Sequence, residues 1–186
     1  GNVQITTQAL RLAFANEIPV VFMTSDGSFK GTAGAFSTRN ALRKRAQFEA
    51  LDDENKTMKV SSRLVNAKIR NCRNLLRRNS DKDTQATLDQ LTQFAKKSLI
   101  CSTRRKLRGY EGSAARYYLS QFNCMLGEKA KNEGFSFERR TRRPPEDPIN
   151  AMLSFGYALL LKDVIIALES AGLDPMHGFY HVTRSS

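Results

Sequence analysis

Histidine is almost missing from this chain of 186 residues. There are two, His177 and His181, four apart near the end, so any imidazole chemistry rests on this pair. Cysteine is scarce as well. Cys72, Cys101 and Cys124 are odd in number, widely spaced and make no C-x-x-C, which speaks against a zinc site or a disulfide framework. They read as core thiols in a reducing compartment. No G-x-x-x-x-G-K-[ST] and no G-x-S-x-G occurs, so neither nucleotide hydrolysis on a P-loop nor acyl transfer at a serine elbow has support. The opening "GNVQITTQAL" lacks the basic-then-apolar pattern of a signal peptide and an initiator Met, and it starts inside a strand-like pattern. It reads as the start of a fragment or a processed chain. Acids are also short: 18 Asp and Glu against 30 Lys and Arg, a net charge of +12 and a pI near 10.0. A field of that sign draws polyanions, nucleic acid first and an anionic membrane surface second.

What is present is a folded chain, 40% hydrophobic and 26% charged, too apolar for disorder. It has no internal repeat and no low-complexity segment. The first part reads as β-α-β: a strand over "NVQIT", a short helix "QALRLAFANE" capped by Thr6 or Thr7, a buried strand "IPVVFMT", the turn "SDGS" and a short extended "FKGTAG". From about Ser37 the period becomes helical. "STRNALRKRAQFEAL" is one helix. "KTMKVSSRLVNAKIRNCRNLLRR" is a second, with Val65, Ile69, Cys72 and Leu76 as its apolar stripe. "TQATLDQLTQFAKKSL" is a third, facing inward with Leu88, Leu91 and Ala95. A fourth begins near Glu111 and runs through "GSAARYYLSQFNCML". "EGFSFERRTRRPPEDP" is a loop, since Pro144, Pro145 and Pro148 break helices. A long helix follows, capped by Asp147 with Pro148 at its first position and ending at Gly172. Its apolar run "AMLSFGYALLLKDVIIAL" is interrupted by Lys162 and Asp163, so it reads as a buried helix rather than a membrane span. The expected class is mainly α, a helical domain over 37–186 preceded by a short β-α-β piece over 1–36.

Three features bear on chemistry. Residues 101–143 carry eleven Lys and Arg against four acids, an excess of seven. Tyr110, Tyr117, Tyr118, Phe135 and Phe137 interleave with them, as suits phosphate contact with occasional stacking, or else a solvated basic face over core aromatics. Second, in "LRGYEGSAARYY" Glu111 stands between Gly109 and Gly112 at an expected helix start. It either complements the helix dipole or, with the glycines clearing space, holds a divalent ion near a phosphate. Third, H-x-x-x-H over His177 and His181 suggests zinc ligation on a helix, but Pro175 and Gly178 interrupt a helix and no glutamate accompanies the pair. Surface or capping histidines are the plainer reading.

Together "GYEGSAARYY", "RRPPEDPINAMLSFGYALL" and "AGLDPMHGFYH" resemble the three signature blocks of the CRISPR-associated integrase-endonuclease of spacer acquisition. The leader resembles the end of that family's N-terminal β domain, and all four blocks stand in order over nearly the whole chain. The resemblance implies a β-rich domain followed by a helical catalytic one, a homodimer, and a dimer of a small companion Cas protein between two such dimers. It implies binding of double-stranded DNA, both spacer precursor and repeat array, in a prokaryotic cytoplasm. It implies a metal site, Mg²⁺ or Mn²⁺, with Glu111 and His181 as catalytic ligands and a third acidic ligand beyond Ser186. His177 is then left near the DNA or exposed. Arg104, Arg105, Arg108, Arg116, Arg139, Arg140, Arg142 and Arg143 become candidates for DNA contact. Asn150 is expected to cap or hydrogen-bond near the site, and Tyr157 to pack in the core or touch DNA. Two other readings remain: a basic helical DNA-binding module without catalysis, and a transposon-borne relative that joins a mobile element's ends.

Overall fold

The computed structural model describes residues 3–25, 29–34 and 41–181. It is mainly helical, with a two-stranded antiparallel sheet ahead of the long helices. The chain divides into two compact units, Gly1–Glu49 with Ala151–His177, and Ala50–Asn150 with Gly178–Ser186. The expected domain boundary at residue 36 lies outside the described residues, as do most of the "SDGS" turn and residues 37–40 of the first expected long helix.

In the first unit, helix α1 (Thr7–Ala15) is capped by Thr6, whose hydroxyl accepts from the Ala9 amide at 3.2 Å. Strands β1 (Val20–Met23) and β2 (Phe29–Ala33) pair antiparallel, with Val20 opposite Ala33 and a register shift at Phe22/Met23. The expected first strand is absent: residues 3–6 are irregular, so the order is helix, strand, strand. A strand needs a neighbour for its ladder, and among the described residues β1 pairs with β2 alone.

Helix α2 (Ala41–Asp52) leads into the second unit, where α3 (Glu54–Asn79), α4 (Gln85–Leu99) and α5 (Arg104–Ser120) build the core. Asp53 caps α3 by accepting from the Asn55 and Lys56 amides. The predicted stripes meet: Val65, Ile69 and Leu76 of α3 pack with Leu88, Leu91 and Ala95 of α4 and with Leu107 and Ala114 of α5. Burying a side chain such as Leu91 stabilises the fold by roughly 1.5–3 kcal/mol. Polar bolts cross the same seam. The Asn66 amide donates to the Ala95 carbonyl at 2.7 Å, and Arg73 Nε donates to Thr92 Oγ1 at 2.7 Å. All three cysteines are free and half-buried, at the margin of the core rather than inside it. A 3₁₀ turn (Phe122–Met125) and the short helix α6 (Glu128–Asn132) complete this unit before the proline loop.

Helix α7 (Pro148–Ser170) starts and stops where the sequence indicates. Asp147 Oδ1 accepts from the Asn150 amide at 2.8 Å. At the other end Gly172 takes φ +78°, the left-handed turn that closes a helix, and the Leu173 amide reaches back to the Leu168 carbonyl. The expectation that α7 is buried is wrong. Met152, Phe155, Tyr157, Leu160 and Leu161 are each about half exposed or more, and Ile165 is the buried residue of its second half. Apolar residues surround this helix instead of forming one stripe, so partners would be needed on every side. By length and composition it is the one described helix long and apolar enough to cross a membrane.

Candidate functional site

Glu111 is not at a helix start. Helix α5 begins seven residues earlier, at Arg104, with the Thr103 hydroxyl accepting from the Lys106 amide. Glu111 therefore sits in the middle of α5, and the dipole-complement reading loses its basis. Gly109 and Gly112 lie in the same helix. A Cβ added at either meets nothing within 4 Å, so the surface on both sides of Glu111 is open.

Two side chains hold the Glu111 carboxylate. From α3, Lys68 Nζ donates to Oε1 at 2.5 Å. From the terminal block, the Tyr180 hydroxyl donates to Oε2 at 2.7 Å. Tyr180 is itself 9% exposed and part of the α3–α4–α5 core. Its segment is pinned by the fully buried Ser61 of α3, whose hydroxyl donates to the Phe179 carbonyl at 2.9 Å. Sequence position, 69 residues away, says nothing of this proximity; docking by Ser61 and Tyr180 creates it.

The electrostatics follow from these contacts. Burial pushes the Glu111 carboxyl up, but the Lys68 and Tyr180 hydrogen bonds, the Lys68 charge and the field of His181 outweigh it, so its pKa lies below the ordinary value. Glu111 is thus a carboxylate at neutral pH. The Tyr180 phenol is shifted strongly the other way, by burial first and by its bond to Glu111 second, and remains a donor. His181 follows directly, its ring centroid 4.9 Å from that of Tyr180, and it is exposed. Its field reaches Glu111. Among the described residues no group of three His, Cys, Asp or Glu gathers anywhere.

His177 has a different surrounding. Its ring packs edge-on against Phe48, with centroids 4.9 Å apart, and its Nδ1 lies 3.5 Å from Asp174 Oδ1. The nearby Gln47, buried on α2, donates to the carbonyls of Asp174 and His177 and accepts from the Asp174 amide. This is a loop fastening.

The arginines divide into free and engaged. Arg105, Arg108 and Arg116 are exposed on α5, while Arg104 is half-buried. In the proline loop Arg142 and Arg143 are exposed, but Arg139 pairs with Glu146 at 3.1 Å. Arg140 donates to Asn150 Oδ1 at 2.8 Å and to the Thr141 carbonyl. Asn150 is fully buried and organises the loop, since its Nδ2 also donates to the Arg139 carbonyl and to Asp147. The interleaved aromatics are mostly occupied. Tyr110 and Tyr117 pack on Phe94, and Phe137 packs on Phe122 at 4.7 Å. Tyr157 on α7 is 58% exposed, so it is not a core residue here.

Sequence reasoning missed a second basic face. Helix α3 has eight Lys and Arg against the single acid Glu54. Arg63, Arg70 and Arg77 recur every seven residues, two helical turns apart and all exposed, with Lys56 and Lys59 alongside. Missed too were Lys68 and Tyr180. The signal for Lys68 is its place at the flank of the stripe between Val65 and Ile69, close to the core yet ending in a charge.

Fold and charge together define a basic, mainly helical protein. Comparison with known proteins gives it a family. Residues 1–186 match the model of the CRISPR associated protein Cas1. The chain is 41% identical, over 99% of its length, to a CRISPR-associated exonuclease Cas4/endonuclease Cas1 fusion of Rhodospirillum rubrum, and spans 32% of that protein. The solved Cas1 protein from Thermotoga maritima shares the fold with a TM-score of 0.77 at 27% identity, over 97% of this chain and 56% of that one. A chain of a Cas6-RT-Cas1–Cas2 complex matches with a TM-score of 0.73 at 32% identity, over 97% of this chain and 20% of that one. The chain belongs to the Cas1 family, and it spans between a fifth and just over half of the length of these relatives.

Proposed function

We propose that this chain carries the carboxylate half of the active site of a metal-dependent DNA endonuclease and integrase, which inserts short duplexes into a CRISPR array. The observation that carries the reading is the position of Glu111. It is ionised, mid-helix, flanked by open glycine surface, and brought next to the block that ends in His181. The donor set fits a divalent ion. Glu111 already accepts a cation on Oε1, and a hard carboxylate oxygen with one imidazole suits Mg²⁺ or, better, Mn²⁺. Glu111 and His181 would hold the ion, with a third acidic ligand following Ser186. When bound, such an ion supplies Lewis-acid polarisation of a phosphodiester.

The chain's own residues contribute position and charge. Tyr180 orients the carboxylate, and Ser61 holds the Tyr180 segment in place. The exposed arginines of α5, Arg142 and Arg143, and the α3 row of Arg63, Arg70 and Arg77 offer phosphate contacts to duplex DNA. The nucleophile is a DNA 3′-hydroxyl in joining and water in cleavage, so the reaction needs no protein nucleophile. A homodimer, a small companion Cas protein dimer and a prokaryotic cytoplasm belong to the same reading.

A half-site joining assay in Mn²⁺, on a form of the protein extended past Ser186, tests it. Glu111→Ala and His181→Ala are expected to lower joining by at least about 100-fold, the scale of losing a group that stabilises transition-state charge. DNA binding should stay nearly intact. If wild type binds DNA but neither cuts nor joins it, the catalytic reading gives way to a binding module.

A further inference from the structure

We propose that Lys68 is the resident counter-cation of Glu111, which a divalent ion must displace, so that Lys68 sets the metal concentration at which the site loads. This rests on the metal-site reading above and concerns its regulation.

The geometry is specific. Lys68 Nζ lies 2.5 Å from Oε1, on the side of the carboxylate that Tyr180 leaves free, since Tyr180 takes Oε2. Both oxygens are therefore engaged, one by a neutral donor and one by a full positive charge. The two contacts differ in how easily they are undone. Tyr180 is locked in the core at 9% exposed. The Lys68 side chain is 54% exposed, while its helix is anchored one residue on by Ile69, which is 2% exposed. An ammonium on an exposed four-carbon stem swings away without disturbing the backbone. Glu111 is its ion-pair partner, so the pair is the reason it folds inward.

The consequence is competition. A carboxylate oxygen that accepts from an ammonium at hydrogen-bond distance is not available to a metal ion, and the metal-competent state is the fraction in which the pair is open. The remaining positive charge then repels a divalent ion a few ångströms away. Lys68 thereby compensates the charge of the half-buried carboxylate before loading, and raises the metal concentration that loading requires. A purely structural ion pair predicts the opposite outcome: breaking it loosens Glu111 and weakens metal binding.

Mn²⁺ titration followed by the electron paramagnetic resonance of the free ion separates these. It uses the form extended past Ser186 as wild type, Lys68→Met, Lys68→Gln and Lys68→Arg, each checked for folding by circular dichroism. Removing the charge is expected to tighten Mn²⁺ binding by about tenfold, the combined scale of an opened pair and a lifted repulsion. Lys68→Arg should stay at or below the wild-type affinity. Equal or weaker binding by both folded neutral variants overturns the proposal while leaving the metal site standing. If no form binds Mn²⁺, the metal-site reading fails and this inference falls with it.

Discussion

Helices α3 and α7 are of similar length, 26 and 23 residues, but α7 is far richer in apolar residues and the two behave in opposite ways. In α3 one apolar stripe is buried, with Val65 and Ile69 2% exposed and Leu76 0%, while Val60, Leu64 and Leu75 off the stripe stay exposed. In α7 apolar residues occupy every side, and half of the large ones stay exposed. An amphipathic helix states where its partner lies. A helix apolar all round states only that it wants partners, not which or how many. The site inherits this difference. Glu111, Lys68 and Tyr180 meet because α3 and α5 have defined inner faces, so residues flanking those faces come to fixed places.

The largest effect that sharpens this comparison pairs two leucines. Leu107, at 0% exposed, lies in the α5 stripe, and Leu160, at 56%, lies on α7. Leu107→Ala should cost about 2–5 kcal/mol in urea unfolding of this chain, from lost transfer energy and a residual cavity. Leu160→Ala should stay within roughly 0.5 kcal/mol. A large loss at Leu160 would mean that α7 is covered in solution, and the contrast would collapse.

The same contrast explains what could be read from the sequence. The stripes of α3 and α4, both caps of α7 and the closing Gly172 follow local rules and come out as expected. The start of α5 does not. Gly109 and Gly112 look like breakers around Glu111, yet each costs a helix only about 1 kcal/mol relative to Ala. Burial of Leu107 and Ala114 on either side offsets that. The true cap, Thr103, stands eight residues upstream of Glu111, where the pattern becomes obvious. The first strand fails for a related reason, because alternation in "NVQIT" shows β character but not a partner. Of the candidate site, the signature blocks nominate Glu111 and His181. Lys68 is hinted at only by its place beside the stripe, and the meeting of Lys68 and Tyr180 on Glu111 comes from tertiary packing.

A smaller effect probes how the terminal block is held. Ser61 is fully buried, and its hydroxyl is the donor to the Phe179 carbonyl. Ser61→Ala removes that donor and should cost about 1–3 kcal/mol, the range for a buried acceptor left unmade. Hydrogen exchange should show residues 178–181 opening first while the α3–α4–α5 core stays protected. Uniform exchange across the core would mean that the block is not separately fastened and that Tyr180 alone carries its docking.

The smallest effect is in pH, and its sign is set by the two shifts at the site. The Glu111 carboxyl is lowered from an ordinary value of 4.5, so it binds a proton more weakly folded than unfolded. Its contribution to stability is fully present above that value and is lost as pH falls through the folded pKa. The Tyr180 phenol is raised above its ordinary 10.0, so its contribution holds below that value and fades at strongly alkaline pH. Lys68→Met should therefore flatten the acid limb of stability against pH relative to wild type, because it removes the largest force that holds the Glu111 carboxyl down. Tyr180→Phe should flatten the alkaline limb and part of the acid one. The matched control is Asp163, paired with Lys162 on α7 at 2.8 Å with its own side chain 64% exposed. Asp163→Asn should leave both limbs unchanged, since water screens an exposed pair of neighbours. An acid limb that responds to Asp163→Asn as much as to Lys68→Met would show that the Glu111 centre is no more ordered than the surface of α7.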